Sequence, residues 1–485
     1  MPETPQNDMS KHRLRGFADY FPFGPAPFVI FVLTVLSGIY LAVNPVPEVQ
    51  ADLYMITFPA FHHKAYVAAA PSFEERTGKS VRIDLVHNTA VQSRLRSAFW
   101  AGLDVPDLVE IEITWAGGFF RGPVEQVGFM DLKPLLESTT IEVDGKQERL
   151  IDQFPASRLA PYTNRGRIFG IPHDVHPVML AYRADLVEPM LAEIGLTVED
   201  LDTWDKFVAA GRRIGQHNLD GPTEHYMLNL PRSDAMMLEI LVFQRGGGYF
   251  DAEGKLTMDS QLVLDTLLWY VPLASGKKAI AKWPNMFGPT WVESVRTGSC
   301  LFFFCPDWKS KSTEDQVSSM AGKMKLMPLP AWTPGGRRTS TWGGTMLGIT
   351  KACEDKEAAW KLAQHLYTDK ESIEFLFKQT NILPPFKWAW DLEVVKQPNE
   401  YWSGQRLGAM YAELAPQVPP QYSSPYVQMA KTQLGAALSQ CVEYYEANQD
   451  DPEIETKLRA FAANALKTEA DYVRRYMERS EILER

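Results

Sequence analysis

Hydrophobic positions along this chain fall into one long unbroken run and then into many short packets. The run lies inside the uncharged stretch Tyr20 to Pro47, and its core, Phe28 to Val43 (FVIFVLTVLSGIYLAV), carries no charge. As a helix that 16-residue core reaches about 24 Å, so spanning a bilayer needs Ala26, Pro27 and their neighbours to join in. The expectation is one N-terminal transmembrane or signal helix over residues 24–46, with residues 1–23 cytoplasmic. Lys11, Arg13 and Arg15 precede the run while Glu48 and Asp52 follow it, so the positive-inside bias exports everything downstream. An uncleaved anchor and cleavage near Val49-Gln50-Ala51 both stay open at this point, and either exports the chain.

After the run, strand-like packets alternate with longer helical patterns. Ala51 to Thr57 reads as a strand and His63 to Arg76 as a helix closed by Gly78, with a kink or late start expected at Pro71. Val81 to His87 and Asp107 to Ile113 read as strands, separated by a helix from Thr89 to Trp100. Further strands are expected at Ile168 to Pro172, Val178 to Tyr182, Leu301 to Phe304 and Thr345 to Ile349. Helices are expected at Thr197 to Ile214, from a Ser233 cap to Arg245, from Asp259 to Tyr270, at Trp291 to Thr297 and at Glu354 to Tyr367. Two amphipathic helices, Tyr426 to Tyr445 and Ile454 to Tyr476, close the chain, most simply packing on the body. This alternation calls for parallel sheets with helices on their faces.

Composition narrows the class of protein. A 485-residue chain is too long for one ordinary core, which suggests two domains. Lys plus Arg number 49 against 60 Asp plus Glu, for a net charge of −11, and no basic block follows the apolar run; nucleic acid is therefore not the expected partner. The four cysteines are too few and scattered for a disulfide scaffold. On a strand, the offset of five between Cys300 and Cys305 puts their side chains on opposite faces, so two buried small hydrophobes are expected there. No motif calls for a cofactor.

Read in order, several segments resemble the family 1 extracellular solute-binding proteins, the maltose-binding-protein-like receptors of ABC importers. Phe73-Glu74-Glu75-Arg76-Thr77-Gly78 resembles the family's segment before its second strand, and Pro106-Asp107-Leu108-Val109 resembles its third. Phe169-Gly170-Ile171-Pro172-His173-Asp174, Leu180 to Leu186, Thr203-Trp204-Asp205 and Gly247 to Asp251 follow at compatible spacings. Thr297 to Phe302, Asp307-Trp308, Trp342-Gly343-Gly344 through Ile349, Lys356 to Tyr367 and Leu383-Pro384 complete the set over about residues 51–475. The resemblance implies an α/β, two-lobe periplasmic-binding-protein-like fold (type II), its discontinuous lobes joined by a hinge. Residues 51–173 and 336–382 would form the N-terminal lobe, 174–335 and 383–476 the C-terminal lobe, and 477–485 a tail. The chain would cross between lobes near His173 to Val175, Trp332 to Gly336 and Asn381 to Pro385.

A sugar cleft needs aromatic faces for C–H surfaces and polar side chains for hydroxyls. Thirteen Trp and 18 Tyr can furnish one. Trp115, Trp308 and Trp342 stand at strand ends or turns, where side chains face the crevice of an open α/β sheet; Trp204, Trp269 and Trp360 lie within helices and read as core. Phe61, His62 and His63 follow the opening strand, and Glu112 and Thr114 end the Asp107 to Ile113 strand. The resemblance places Asp174 at a position that commonly hydrogen-bonds solute. Arg232 reads as solvent-facing.

The function so implied is capture of a carbohydrate, by preference an oligosaccharide, in an interlobe cleft and its delivery to ABC permease subunits by hinge closure at the periplasmic face of the membrane. Two alternatives from other classes carry less support. One is a solute-sensing receptor for a membrane signalling partner, or a binder of a non-sugar solute or metal. His173-Asp174-Val175-His176 and His62-His63 put four imidazoles near the expected cleft, although the HDVH segment gives no assured convergence and no metal ligand is assigned. The other is a glycosidase, for which Glu112 and Asp174 could imitate the carboxylate pair. No nucleophile elbow, phosphate-binding loop or H-E-x-x-H motif supports catalysis, and the chain is not expected to be an enzyme.

Overall fold

The computed structural model describes residues 25–43, 51–217, 224–282 and 286–483. The N-terminal helix forms over Pro25–Val43, with Val29, Ile30, Phe31, Leu33, Leu36 and Ile39 exposed. Its 19 residues rise about 28 Å. Among the described residues no helix is long and apolar enough to cross a membrane, so the expected spanning anchor is not confirmed. The expected cytoplasmic segment, the flanking charges Lys11, Arg13, Arg15 and Glu48, and the cleavage residues Val49 and Gln50 lie outside the described residues.

From Ala51 onward the chain builds two five-stranded sheets. Their strands are β1 Leu53–Thr57, β2 Val81–Leu85, β3 Leu108–Glu112, β4 Ile171–Pro172, β5 Val178–Arg183, β6 Tyr226–Asn229, β7 Ala281–Lys282, β8 Cys300–Pro306, β9 Met324–Pro328 and β10 Thr345–Ile349. The first sheet runs β2-β1-β3-β10-β4 and the second β7-β6-β8-β5-β9. Each has three parallel strands on one side, and the remaining two pairings are antiparallel. In both, the strand beside the parallel trio, β10 or β5, comes from a chain segment that has just arrived from the other sheet. A sheet assembled from separated segments cannot come apart into two continuous domains.

Short apolar packets became strands because they are buried on both faces. Every residue of β5, β8 and β10 is buried, which explains runs such as CLFFFCP with no polar alternation. The two clusters flanking the first sheet hold Leu53, Met55, Leu108 and Leu347 on one face and Ile56, Val109, Ile111 and Met346 on the other. The second sheet shares one larger core with the C-terminal helices Val427–Asn448 and Ile454–Leu483, through Leu434, Leu438, Leu458 and Leu466. Tyr444 and Phe461 stack between those helices at 4.2 Å, so the closing helices pack on the body as expected. Cys300, Cys305, Cys353 and Cys441 are buried and free.

Three local expectations need correction. The first helix spans Ala60–Thr77 with Pro71 inside it, so there is no late start, and Gly78 closes it at φ 69°. Ser233 does not cap a helix: the Asp234 carboxylate accepts from Met236 N and the helix is Met236–Gln244. Trp204 opens its helix rather than sitting within it, since Val198–Asp200 forms a separate 3-10 turn with a Thr197 capping box.

The chain passes between the sheets three times. The first passage lies between Pro172 and Val178. The second lies later than Trp332 to Gly336: Trp332 packs on Trp204 and Trp269 in the second lobe, and Thr339 and Ser340 still bond to Val178 and Ile240. The third begins at Asn381, whose side chain donates to Ser310 and Glu314. It is drawn out, because Phe386 and Ala389 return to the first core before Val395 joins the second.

Candidate functional site

A cavity of about 900 Å³ opens between the two lobes, walled by residues of both. From the first lobe come Phe58, Phe61 and His62 after β1, Asn88, and Glu112 to Trp115 at the end of β3. From the second come Met236, Phe243, the Gly246 to Asp251 turn, Phe287 and Trp308. The helix Val427–Asn448 adds Val427, Gln428 and Lys431. Strand ends supply the wall because they project from the sheet edge where no helix covers them.

One wall is an aromatic box. Phe287 stacks on Trp308 at 6.3 Å with 13° between planes, and Trp342 meets Trp308 edge-on at 5.0 Å. The Trp308 indole N–H donates to the Trp342 carbonyl at 3.0 Å, which locks the two side by side. Gly343 and Gly344 follow Trp342, and a Cβ on Gly344 would sit 2.5 Å from the Arg158 guanidinium.

Lys309 fixes the outer ring of the box from behind. Its ammonium donates to Met286 O at 2.8 Å and lies 3.7 Å from the Trp291 ring centre and 4.6 Å from that of Phe287. Burial pushes this amine down to about 8. A depressed lysine binds fewer protons folded than unfolded between about pH 8 and its ordinary 10.5, so its contribution is present above 10.5 and lost as pH falls through 8. Unfolding free energy should therefore climb with alkaline pH across that window, and Lys309→Met should flatten the climb. An identical pH slope in both proteins, read from urea titrations, would refute this.

Polar groups face the box. Glu112 caps the short helix after β3 by accepting from Thr114 N at 3.0 Å and Thr114 Oγ1 at 2.8 Å, and burial holds its carboxyl up at about 7. Glu239 accepts from Tyr249 OH and from Lys431 Nζ, each at 2.7 Å. The cavity thus offers carboxyl oxygens and an ammonium donor beside aromatic faces, a set suited to hydroxyl-rich ligands.

Beneath the cavity the three crossing segments meet in one buried network. Asp174 Oδ1 accepts from Arg158 Nη2 at 2.6 Å, while Oδ2 accepts from Thr345 N at 2.9 Å and lies 3.0 Å from His176 Nε2. His176 Nδ1 meets Asp307 Oδ1 at 2.5 Å, and Asp307 Oδ2 accepts from Leu383 N at 2.8 Å. Burial alone would push His176 down, but Asp174 and Asp307 on either side hold it up at about 9, so it is an imidazolium at neutral pH. Burial opposes ionisation of Asp174 as well, and the charges and hydrogen bonds of its partners outweigh that and hold its carboxyl well below the usual range.

Of the residues expected at the site, Phe61, His62, Glu112, Trp115, Trp308 and Trp342 line the cavity. Two do not. His63 turns back to Ile83 O at 3.2 Å, and Asp174 is fully buried in the network, where both oxygens are engaged. Asp174 therefore cannot complete an acid–base pair with Glu112. Arg232 lies partly exposed in a surface ion pair with Glu446 at 2.8 Å. Phe287, Glu239, Tyr249 and Lys431 were not anticipated. Tyr249 sits in the Gly-Gly-Tyr-Phe-Asp signature and was within reach; Lys431 comes from a helix with no local mark of a binding role.

These features coincide with a known family. The family described as bacterial extracellular solute-binding protein matches residues 63–373, and the chain belongs to it. An arabinooligosaccharide-binding protein of Halalkalibacterium halodurans is 25% identical over 365 residues, covering 73% of this chain and 76% of its own. A lactose-binding protein of Rhizobium radiobacter is 23% identical, covering 57% and 64%. Among solved structures, the sugar-binding protein MalE from Xanthomonas citri superposes with a TM-score of 0.67 at 17% identity over 88% of this chain and 99% of that one. That likeness confirms the two-lobe α/β fold. The family is one of solute receptors, not enzymes, and is extracellular.

Proposed function

We propose that this protein captures an oligosaccharide between its lobes and presents it to an ABC permease by hinge closure. The observation that carries the reading is the pairing, in one interlobe cavity, of the Phe287–Trp308–Trp342 box with Glu112, Glu239 and Lys431. Sugar rings offer an apolar C–H face to aromatics and hydroxyls to carboxylates. A volume of about 900 Å³ lies at the upper end of the range for ligand pockets and favours a chain of sugars over a single ring. Relatives named for arabinooligosaccharide and lactose, and a neighbour in complex with maltotetraose, support the same solute class. Closure then follows from binding, because only the closed form lets both walls touch the solute. Export rests on the family; the tether expected from residues 24–46 gains no support from the helix that forms.

A thermal-shift screen of arabino-, galacto- and malto-oligosaccharides tests the reading. A true ligand at 100 times its Kd should stabilise the protein by about 2.7 kcal/mol. Silence across the sugars alongside a response to polyamines or peptides would replace the solute class.

A further inference from the structure

Behind the first-lobe wall, Glu110 of β3 is fully buried. It accepts from Tyr66 OH at 2.6 Å, Tyr367 OH at 2.8 Å, the Thr57 hydroxyl and His62 Nδ1 at 3.1 Å. Among the described residues no lysine or arginine pairs with it. A carboxylate is thus buried among hydroxyls and an imidazole, an arrangement that invites a cation.

Two imidazoles beside it have nitrogens to spare. His62 Nδ1 lies 3.1 Å from Glu110 Oε2, and Nε2 of the same ring has no hydrogen-bond partner among the described residues. His173 Nε2 has none, and its Nδ1 lies 3.8 Å from Asp174 Oδ2, beyond hydrogen-bond reach. Both residues are 2% exposed and their ring centres lie 3.8 Å apart. One donor atom each from His62, Glu110 and His173 comes within 4.8 Å of the others.

We propose that His62, Glu110 and His173 form a binding site for a divalent transition-metal ion of the zinc class. Two imidazole nitrogens with one carboxylate suit zinc over calcium or magnesium, which prefer oxygen. Ligating groups must be free of protons, and an ion seated between His62 Nδ1 and Glu110 Oε2, which lie 3.1 Å apart, would take the place of the proton they share. His62 comes from the helix after β1 and His173 opens the first crossing segment, so the ion ties the hinge base to the first lobe. The site is separate from the sugar cavity except for the His62 ring, which belongs to both, and it stands whether or not the solute is a sugar.

The test is calorimetric titration of zinc chloride into chelator-treated full-length protein. One equivalent should bind at micromolar concentration or tighter, with affinity falling at least tenfold in His173→Gln and unchanged in His87→Gln, an exposed surface histidine. Since a buried variant can fail to fold, the wild-type protein is also followed by histidine-selective NMR. Zinc should shift the ring signals of His62 and His173 and spare those of His63 and His365. No heat at 100 µM zinc, or shifts confined to exposed histidines, would overturn the site.

Discussion

Replacing Asp174 with alanine is expected to lower the unfolding free energy by about 3–5 kcal/mol, the cost of stranding a buried charge without its partner. Arg158 is fully buried and spends its guanidinium on the Asp174 carboxylate, the Asp174 carbonyl and Thr341. Without the carboxylate that cation has no countercharge, His176 keeps only Asp307, and Thr345 N loses its acceptor. Urea denaturation measures the loss. A fall below about 1 kcal/mol would mean that water or another acid relieves Arg158, and the network would then not organise the hinge. Arg158→Met combined with Asp174→Leu should recover part of the loss, because removing both members of a buried pair costs far less than removing one. All three crossing segments feed into this network, through Asp174, Thr345 and Leu383, so the same variant should alter the balance between open and closed forms.

Legibility in the sequence followed the range of the forces concerned. β8 and β10 could be read because burial on both faces leaves an unbroken apolar packet. β6 and β9 were missed: Tyr226–Asn229 and Met324–Pro328 are short, and Lys325 or a half-buried Tyr226 blurs the pattern. The crossings were placed only through the family resemblance, and the second depends on Thr339 and Ser340 finding β5 and the helix Met236–Gln244 about 100 to 160 residues away. No local rule encodes that. At the site, aromatics on strand ends were recognisable since position on the sheet predicts where they face. Asp174 was misplaced because a conspicuous acid beside the cleft reads alike whether it meets solute or an arginine. Only Arg158, sixteen residues upstream and with no motif around it, decides the matter. The His62–His173 contact was equally hidden, as it joins a helix to a crossing segment over a hundred residues later.

Trp308→Ala should weaken oligosaccharide binding by roughly 10- to 100-fold, or about 1.4–2.8 kcal/mol, while the protein stays folded. Trp308 is only half-buried, so truncation opens the cavity wall without hollowing a core. Two losses combine: the ring face itself, and the N–H that holds the Trp342 carbonyl. Trp308→Phe separates them, keeping a ring and dropping the donor, and should fall between wild type and alanine. Phe287→Ala should show coupling to Trp308→Ala in a double-mutant cycle, since the two rings are parallel and a sugar lying on one relies on the position of the other. Trp204→Ala is the contrasting case. That indole is 1% exposed and donates to Gln244, so its loss should cost about 3–5 kcal/mol of stability and leave the affinity of the folded fraction unchanged. If calorimetry showed full affinity in Trp308→Ala, the aromatic box would be scaffold, and the solute would have to be held by Glu112, Glu239 and Lys431 alone.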